Sequence, residues 1–84
     1  MKPKIKYTTD AINKALPAEL DAMLDDYVAA WKEHKKSVDN MKQYINLSKY
    51  MATLIDNSGK SLYMHKNVFF KVKNYYGKKV LSLI

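Results

Sequence analysis

The fold of this 84-residue chain depends on residues 53–63, which have the sequence TLIDNSGKSLY. They fit either the end of a helix followed by a strand, or a hairpin that turns near Gly59. Apolar residues recur at helical spacing from Met41 to Ile55, which favours the helix. Gly59 suits a left-handed helix cap, and the residues after it are strand formers. We therefore predict that helix gives way to sheet close to residue 57.

Downstream of Gly59 the sequence predicts a small antiparallel sheet. Segments 61–65 and 68–73 are rich in aromatic and β-branched residues, and segment 78–84 is the candidate closing strand. Asn74-Tyr75-Tyr76-Gly77 is the candidate turn before that last strand.

Upstream of this switch, the sequence predicts three helices. Thr8-Thr9-Asp10 offers an N-cap for a short helix that ends at Leu16, and Pro17 can begin the next helix. The second helix ends before Ser37, and the third extends from about Asn40 to Asp56. The predicted fold is α+β, with a short N-terminal helix, two long antiparallel-packed helices, and a small C-terminal antiparallel sheet or hairpin. A winged helix and an all-helical fold with a frayed C-terminus are the weaker alternatives.

The chain is long enough for one small domain, and its 48% apolar content predicts that this domain is folded. Charge divides the chain into a basic N-terminal arm (1–7), a helical part (8–56) and a basic, aromatic-rich β part (57–84). The arm carries three lysines, and the β part carries six lysines and no acidic residue. The net charge of +7 excludes an acidic mimic of DNA.

The sequence contains no group of residues typical of catalysis or metal binding. Cysteine is absent, and His34 and His65 lie far apart without spaced partners, so we predict no metal site and no cofactor. Asp21, Asp25 and Asp26 form the tightest acidic group, and early in a helix such residues complement the helix dipole. Because no nucleophile accompanies a base, we expect no catalytic residue and no enzymatic activity.

Lysine and aromatic residues interleave in the β part, the most distinctive region of the sequence. Strand alternation turns Phe69, Lys71 and Lys73 outward if the intervening residues face the helices. Single-strand nucleic-acid binders use such surfaces, because bases stack on aromatic rings while lysines hold phosphates. All 15 basic residues are lysines, so we expect backbone contacts with low sequence specificity. The predicted nucleic-acid-binding residues are Lys60, Lys66, Phe69, Lys71, Lys73, Tyr75, Tyr76, Lys78 and Lys79. An ordinary solvated lysine face is the competing interpretation.

The predicted third helix supports a different function. Its polar stripe is narrow and most of its circumference is apolar, which indicates a central position in the fold or cover by another chain. The alternative function is therefore a protein-binding regulator or inhibitor that docks on an acidic or apolar partner surface. The predicted partner or oligomer surface consists of Tyr44, Leu47, Tyr50, Met51 and Leu54. This surface also predicts a homodimer or higher oligomer.

The remaining expectations concern the core and the setting of the protein. Tyr27 and Trp31 lie one helical turn apart and should anchor the core. No apolar run of signal length follows Met1, and no stretch approaches the roughly 20 apolar residues of a membrane span, so we expect a cytoplasmic protein. The composition, rich in lysine, asparagine and tyrosine, suits an AT-rich gene such as that of a small phage or a low-GC bacterium. The expected partners are nucleic acid, contacted through its backbone, or an acidic host protein.

Overall fold

The computed structural model describes residues 5–33 and 39–84. Helices come first along the chain and a three-stranded antiparallel sheet follows, which confirms the α+β class. The helices are α1 (Thr9–Lys14), α2 (Pro17–Glu33), a 3₁₀ helix (Asp39–Tyr44) and α3 (Ile45–Asn57), and the strands are β1 (Leu62–His65), β2 (Val68–Tyr75) and β3 (Lys78–Leu83).

The chain forms two compact units, a first unit (Met1–Leu47) and a second unit (Ser48–Ile84). The boundary between them lies inside α3, whereas charge placed the division between the helical part and the β part at residue 57. That the 84 residues form one domain, and that the two long helices pack antiparallel, stay predictions.

Local sequence signals account for the ends of α1 and α2. Thr8 caps α1, because its side chain accepts the backbone N–H of Ala11 at 3.1 Å. α1 ends at Lys14, earlier than predicted. Pro17 occupies the first position of α2, where its missing N–H leaves no helical hydrogen bond unmade. The carboxylate of Glu19 accepts a hydrogen bond at 3.2 Å from the backbone N–H of Leu16, the residue that precedes this helix.

The predicted α-helix from Asn40 to Asp56 is wrong in its first part. Residues Asp39–Tyr44 wind as a 3₁₀ helix, and the α-helix begins only at Ile45. The carbonyl of Gln43 accepts the backbone N–H of Lys6 at 2.9 Å, a contact between distant residues that helical spacing does not reveal. The far end agrees with the prediction: α3 stops at Asn57 and Gly59 has a φ of 78°, so residues 53–63 do not form a hairpin.

The sheet has the strand order β1-β2-β3, and a two-residue turn joins each pair of neighbours. Lys66 and Asn67 form the first turn, and Tyr76 and Gly77 form the second. All four residues have positive φ, as in the type I′ turns whose twist matches that of a hairpin. β2 continues to Tyr75, so the second turn is shorter than predicted.

In the first unit, aromatic side chains form the centre of the core. Tyr27 and Trp31 are fully buried, which confirms the prediction that they are core residues. Their rings meet edge to face with centroids 6.2 Å apart, an arrangement that is favourable for aromatic pairs. The ring of Tyr44 also packs edge to face against that of Tyr27, and their centroids are 5.7 Å apart.

In the second unit, one buried serine joins α3 to β3. The hydroxyl of Ser48 accepts the backbone N–H of Leu81 at 2.9 Å and donates to the carbonyl of the same residue at 3.4 Å. Both residues are buried, as is Phe70 on β2. Ser48 thereby satisfies two polar groups of the β3 backbone, which would be costly to bury without partners.

Candidate nucleic-acid interface

β2 carries the central row of the candidate interface. Alternation along this strand exposes Phe69, Lys71 and Lys73 and buries Phe70, in agreement with the orientation predicted from the sequence. Successive side chains of the row lie about 7 Å apart along the strand. Phe69 is 52% exposed, so part of its ring is accessible to a stacking partner.

The register of the sheet shows how far this row extends. Directly paired residues of antiparallel strands share a face, and Tyr75 pairs with Lys78, which adds a third lysine beside the β2–β3 turn. The β3 partners of the two central lysines, Ser82 and Val80, are buried. The accessible part of this face is therefore narrower than a fully open sheet of three strands. We call the surface formed by Phe69, Lys71, Lys73, Tyr75 and Lys78 the lysine face.

The structure separates Lys79 from the lysine face. Lys79 pairs in register with Asn74, whose side chain lies on the opposite face of β2. The ammonium of Lys79 forms an ion pair with the carboxylate of Asp56 on α3. This predicted nucleic-acid-binding residue is thus engaged within the second unit.

Three other predicted residues lie at the margins of the sheet. Lys60 precedes β1 and Lys66 lies in the β1–β2 turn, and both are exposed. Tyr76, in the β2–β3 turn, is 86% exposed, and its ring meets that of Tyr75 with centroids 4.6 Å apart. Tyr76 therefore adds a second accessible ring next to the lysine face.

β1 borders a groove that the sequence analysis did not predict. The groove has a volume of about 440 Å³, and α3 and β1 both line it. Leu54 on α3, and Leu62 and Met64 on β1, contribute apolar side chains that are each more than half exposed. One sequence feature bears on the position of Leu62 and Met64, namely the two-residue gap between the predicted strands 61–65 and 68–73. A two-residue turn in this gap sets the register that places Leu62 and Met64 on the same face as Lys71 and Phe69.

The predicted partner or oligomer surface is largely covered within the single chain. Tyr44, Leu47 and Met51 are buried, Tyr50 is half-buried, and Leu54 is 51% exposed. Only the Leu54 side of this surface is open to a partner, and it opens onto the groove. Oligomerisation stays a prediction.

A polar cluster around Asp26 is a feature of the first unit that the sequence analysis missed. The carboxylate of Asp26 accepts the hydroxyls of Tyr7 at 2.8 Å and Tyr44 at 3.2 Å. The ammonium of Lys6 lies 2.7 Å from the same oxygen, so this lysine of the N-terminal arm is already paired. Asp26 is thus more than a dipole-complementing acid. In the sequence, only the opposite charges of the N-terminal arm and the second helix pointed to such a contact. These charges do not identify Lys6 and Asp26 as the residues that pair.

The cluster shifts the titration of its members. Partial burial acts against the charged form of Asp26, but the hydrogen bonds from Lys6 and Tyr7 outweigh it and lower the pKa of the carboxyl. The hydrogen bond to Asp26 raises the pKa of the Lys6 ammonium. Burial, assisted by the hydrogen bond to Asp26, raises the pKa of the Tyr7 hydroxyl to about 12, and burial also raises the pKa of Tyr44. Asp26 is thus a charged anchor, and its hydrogen bonds and ion pair stabilise the ionised carboxylate.

Several predictions concern residues outside the part of the chain that the structure describes. These are Lys2 and Lys4 of the N-terminal arm, and His34.

His65 is buried, and its ring stacks on that of Tyr63 with centroids 6.5 Å apart. Within residues 5–33 and 39–84, no helix has the length and apolar character needed to cross a membrane.

Comparison with known proteins adds no relative to this description. No protein family matches the chain, and neither the curated proteins nor the solved structures include a significant match.

Proposed function

We propose that the protein binds single-stranded nucleic acid through the phosphate backbone, on the lysine face, with low sequence specificity. The observation that carries this proposal is the row of Phe69, Lys71 and Lys73, exposed side by side on β2. Lysines in such a row can hold successive phosphates while an accessible ring stacks with a base.

Local charge supports the proposal. Residues 57–84 contain six lysines and no acidic residue, and Asp56, which directly precedes them, pairs with Lys79. Lysine ammonium groups attract phosphates as point charges. A surface of this kind raises the local concentration of a polyanion and speeds its association.

Single strands suit the surface better than duplexes. The accessible rings of Phe69 and Tyr76 can stack only with bases that are free of a partner strand. Arginine, the residue most used to recognise guanine through two hydrogen bonds, is absent from the chain. The expected specificity is therefore for strandedness and charge, with little preference for base sequence.

Fluorescence anisotropy with a labelled 12-nucleotide oligothymidine tests the proposal. Each phosphate neutralised on a single strand contributes about 0.7 to the slope of log affinity against log salt. Replacing both Lys71 and Lys73 with alanine should therefore flatten that slope by about 1.4. The matched control is Lys32→Ala with Lys49→Ala, since both lysines are exposed, lie outside the sheet, and remove the same charge.

Two results would contradict the proposal. The first is an equal loss of affinity in the two double variants, which would mean that net charge alone drives binding. The second is no detectable binding at about 50 mM salt, where electrostatic attraction is strong.

Phe69 has a separate test. Phe69→Ala should weaken oligothymidine binding by about 1–3 kcal/mol if a base stacks on the ring. Leu54→Ala removes another half-exposed apolar side chain of the second unit and should leave binding unchanged. Equal effects of the two substitutions would remove stacking from the proposal and leave only the phosphate contacts.

A further inference from the structure

We propose that the outer edge of β1 and the adjacent groove bind a second class of ligand: an extended peptide segment with an apolar centre and acidic ends. The segment would add to the sheet as a fourth strand. This site adjoins the lysine face, because Leu62 and Met64 pair with Lys71 and Phe69, but it uses different groups: the backbone edge of β1 and the groove toward α3.

The backbone of β1 is suited to strand addition. β1 is the first strand of the order β1-β2-β3, and within the described residues no strand pairs with its outer edge. The N–H of Val72 donates to the carbonyl of Ser61 at 3.0 Å, which sets the phase of the ladder between β1 and β2. In an antiparallel pair the hydrogen-bonding direction alternates from residue to residue. The N–H and C=O groups of Leu62 and Met64 therefore point outward, toward an incoming strand.

The groove can receive the side chains of that strand. It has a volume of about 440 Å³, within the range of ligand-binding clefts. Leu54, Leu62 and Met64 line it and are 51%, 57% and 54% exposed, so three large apolar side chains of one groove remain uncovered by the chain itself. Main-chain bonds to the strand edge and apolar contacts in the groove are the two elements of recognition by strand addition.

Charge decides which partner fits. Lys60 lies just before β1 and Lys66 just after it, so an exposed lysine stands at each end of the edge. The strand between them, Leu62–His65, has four residues and spans about 13 Å. Acidic residues at both ends of a segment of about eight residues would meet these lysines, while the central residues would fill the groove.

The same charges disfavour a second copy of this chain at the edge. Two β1 strands paired antiparallel would bring Lys60 of one chain toward Lys66 of the other, and residues 57–84 contain no acidic side chain to compensate. Like charges directly opposite each other destabilise a strand pair. The partner is therefore a different, acidic polypeptide.

The test uses the full chain and a designed probe. The probe is a fluorescein-labelled octapeptide with two glutamates at each end and alternating valine and leucine in the four central positions. Its control has the same composition with the four glutamates in the centre. Fluorescence anisotropy should show binding of the probe at least tenfold tighter than that of the control. In amide NMR spectra, the probe should shift the N–H signals of Leu62 and Met64.

One substitution isolates the strand edge. Met64→Pro removes an outward N–H that makes no bond to β2, so the sheet should tolerate it as edge strands do. Its matched control, Met64→Ala, removes the side chain and keeps the N–H. Met64→Pro should weaken probe binding at least tenfold relative to Met64→Ala.

A second pair of variants isolates the charges. Lys60→Gln with Lys66→Gln should weaken probe binding threefold or more, as expected for two exposed ion pairs. Lys42→Gln with Lys49→Gln removes the same charge from exposed lysines outside the sheet and should have little effect. Equal effects of the two pairs would overturn the assignment of acidic ends to the ligand.

Three further results would overturn the proposal. One is unchanged amide signals of Leu62 and Met64 at millimolar probe, a measurement that needs no variant to fold. Another is that oligothymidine displaces the bound probe and also shifts the amide signals of Leu62 and Met64. This result would assign the edge of β1 to nucleic acid. The third is a dimer by light scattering whose interface protects the Leu62 and Met64 amides, which would assign the edge to a second copy.

Discussion

Replacing Asp26 with asparagine tests the charged anchor of the first unit. The substitution preserves the size of the side chain and one carbonyl oxygen, but it removes the negative charge that Lys6, Tyr7 and Tyr44 share. Hydrogen bonds to a charged group contribute about 1.5–3 kcal/mol each when protected from solvent. Because the Asp26 side chain is 32% exposed and an exposed ion pair contributes little, we expect a total loss of about 1–3 kcal/mol.

The loss is large against the stability of a small domain, which is about 5–15 kcal/mol. It should lower the melting temperature by roughly 5–15 °C at neutral pH. Trp31 is the only tryptophan and is buried in the first unit, so its fluorescence reports the unfolding of that unit in urea. Glu33→Gln is the matched control, since it removes an exposed carboxylate from the same helix and should cost less than about 0.5 kcal/mol.

The pH dependence of the difference provides the refutation. The folded-state pKa of Asp26 is lower than its ordinary value of 3.8, so its contribution is complete above that value and is lost as pH falls through the folded-state pKa. The gap in unfolding free energy between native protein and Asp26→Asn should therefore be constant from about pH 5 to 8 and shrink below about pH 4. A gap that persists unchanged at pH 2.5, or that equals the Glu33→Gln value, would refute the charged anchor.

Three further predictions follow from burial, hydrogen bonding and titration. Trp31→Ala should cost about 3–5 kcal/mol by urea unfolding followed by circular dichroism, because Trp31 is fully buried; a loss below about 1 kcal/mol would contradict its place in the core. Ser48→Ala should cost about 1–3 kcal/mol in the same assay, because it removes the hydrogen-bond partner of the buried Leu81 N–H. Substitution of an exposed serine, Ser61→Ala, should be nearly neutral, and equal effects of the two substitutions would contradict the role of Ser48. Stability should also fall as pH rises from 10 to 12, because burial and the bond to Asp26 raise the pKa of Tyr7 to about 12 and its contribution is complete only below the ordinary value of 10.0. Tyr7→Phe should flatten this decline, and an unchanged decline would contradict the raised pKa of Tyr7.

The outer row of β2 was predictable because it depends on local order alone. Side chains of a strand alternate whatever the strand packs against, so Phe69, Lys71 and Lys73 share a face once β2 exists. Whether that face is open depends on what covers the paired strand. The burial of Val80 and Ser82 narrows the accessible part of this face. No pattern within residues 68–73 could have revealed that these two residues of β3 are buried.

The Asp26 cluster and the groove show why the rest was not predictable. Asp26 takes its partners from residues 18 to 20 positions away, so its anchoring role depends on how the chain folds back. Leu62 lines the groove together with Leu54 of α3, while the register of the sheet pairs Leu62 with Lys71. A shift of one residue in that register would turn Leu62 to the other face.

By itself, the sequence determined the α+β class, the helix end before Gly59, the burial of Trp31 and the outward side of β2. Each of these follows from propensity or periodicity within a few neighbouring residues. Tertiary structure decided the 3₁₀ helix before α3, the pairing of Asp26 with Lys6, the ion pair of Lys79 with Asp56, and the groove beside β1. These features depend on contacts between residues far apart along the chain, and such contacts leave no periodic trace in the sequence.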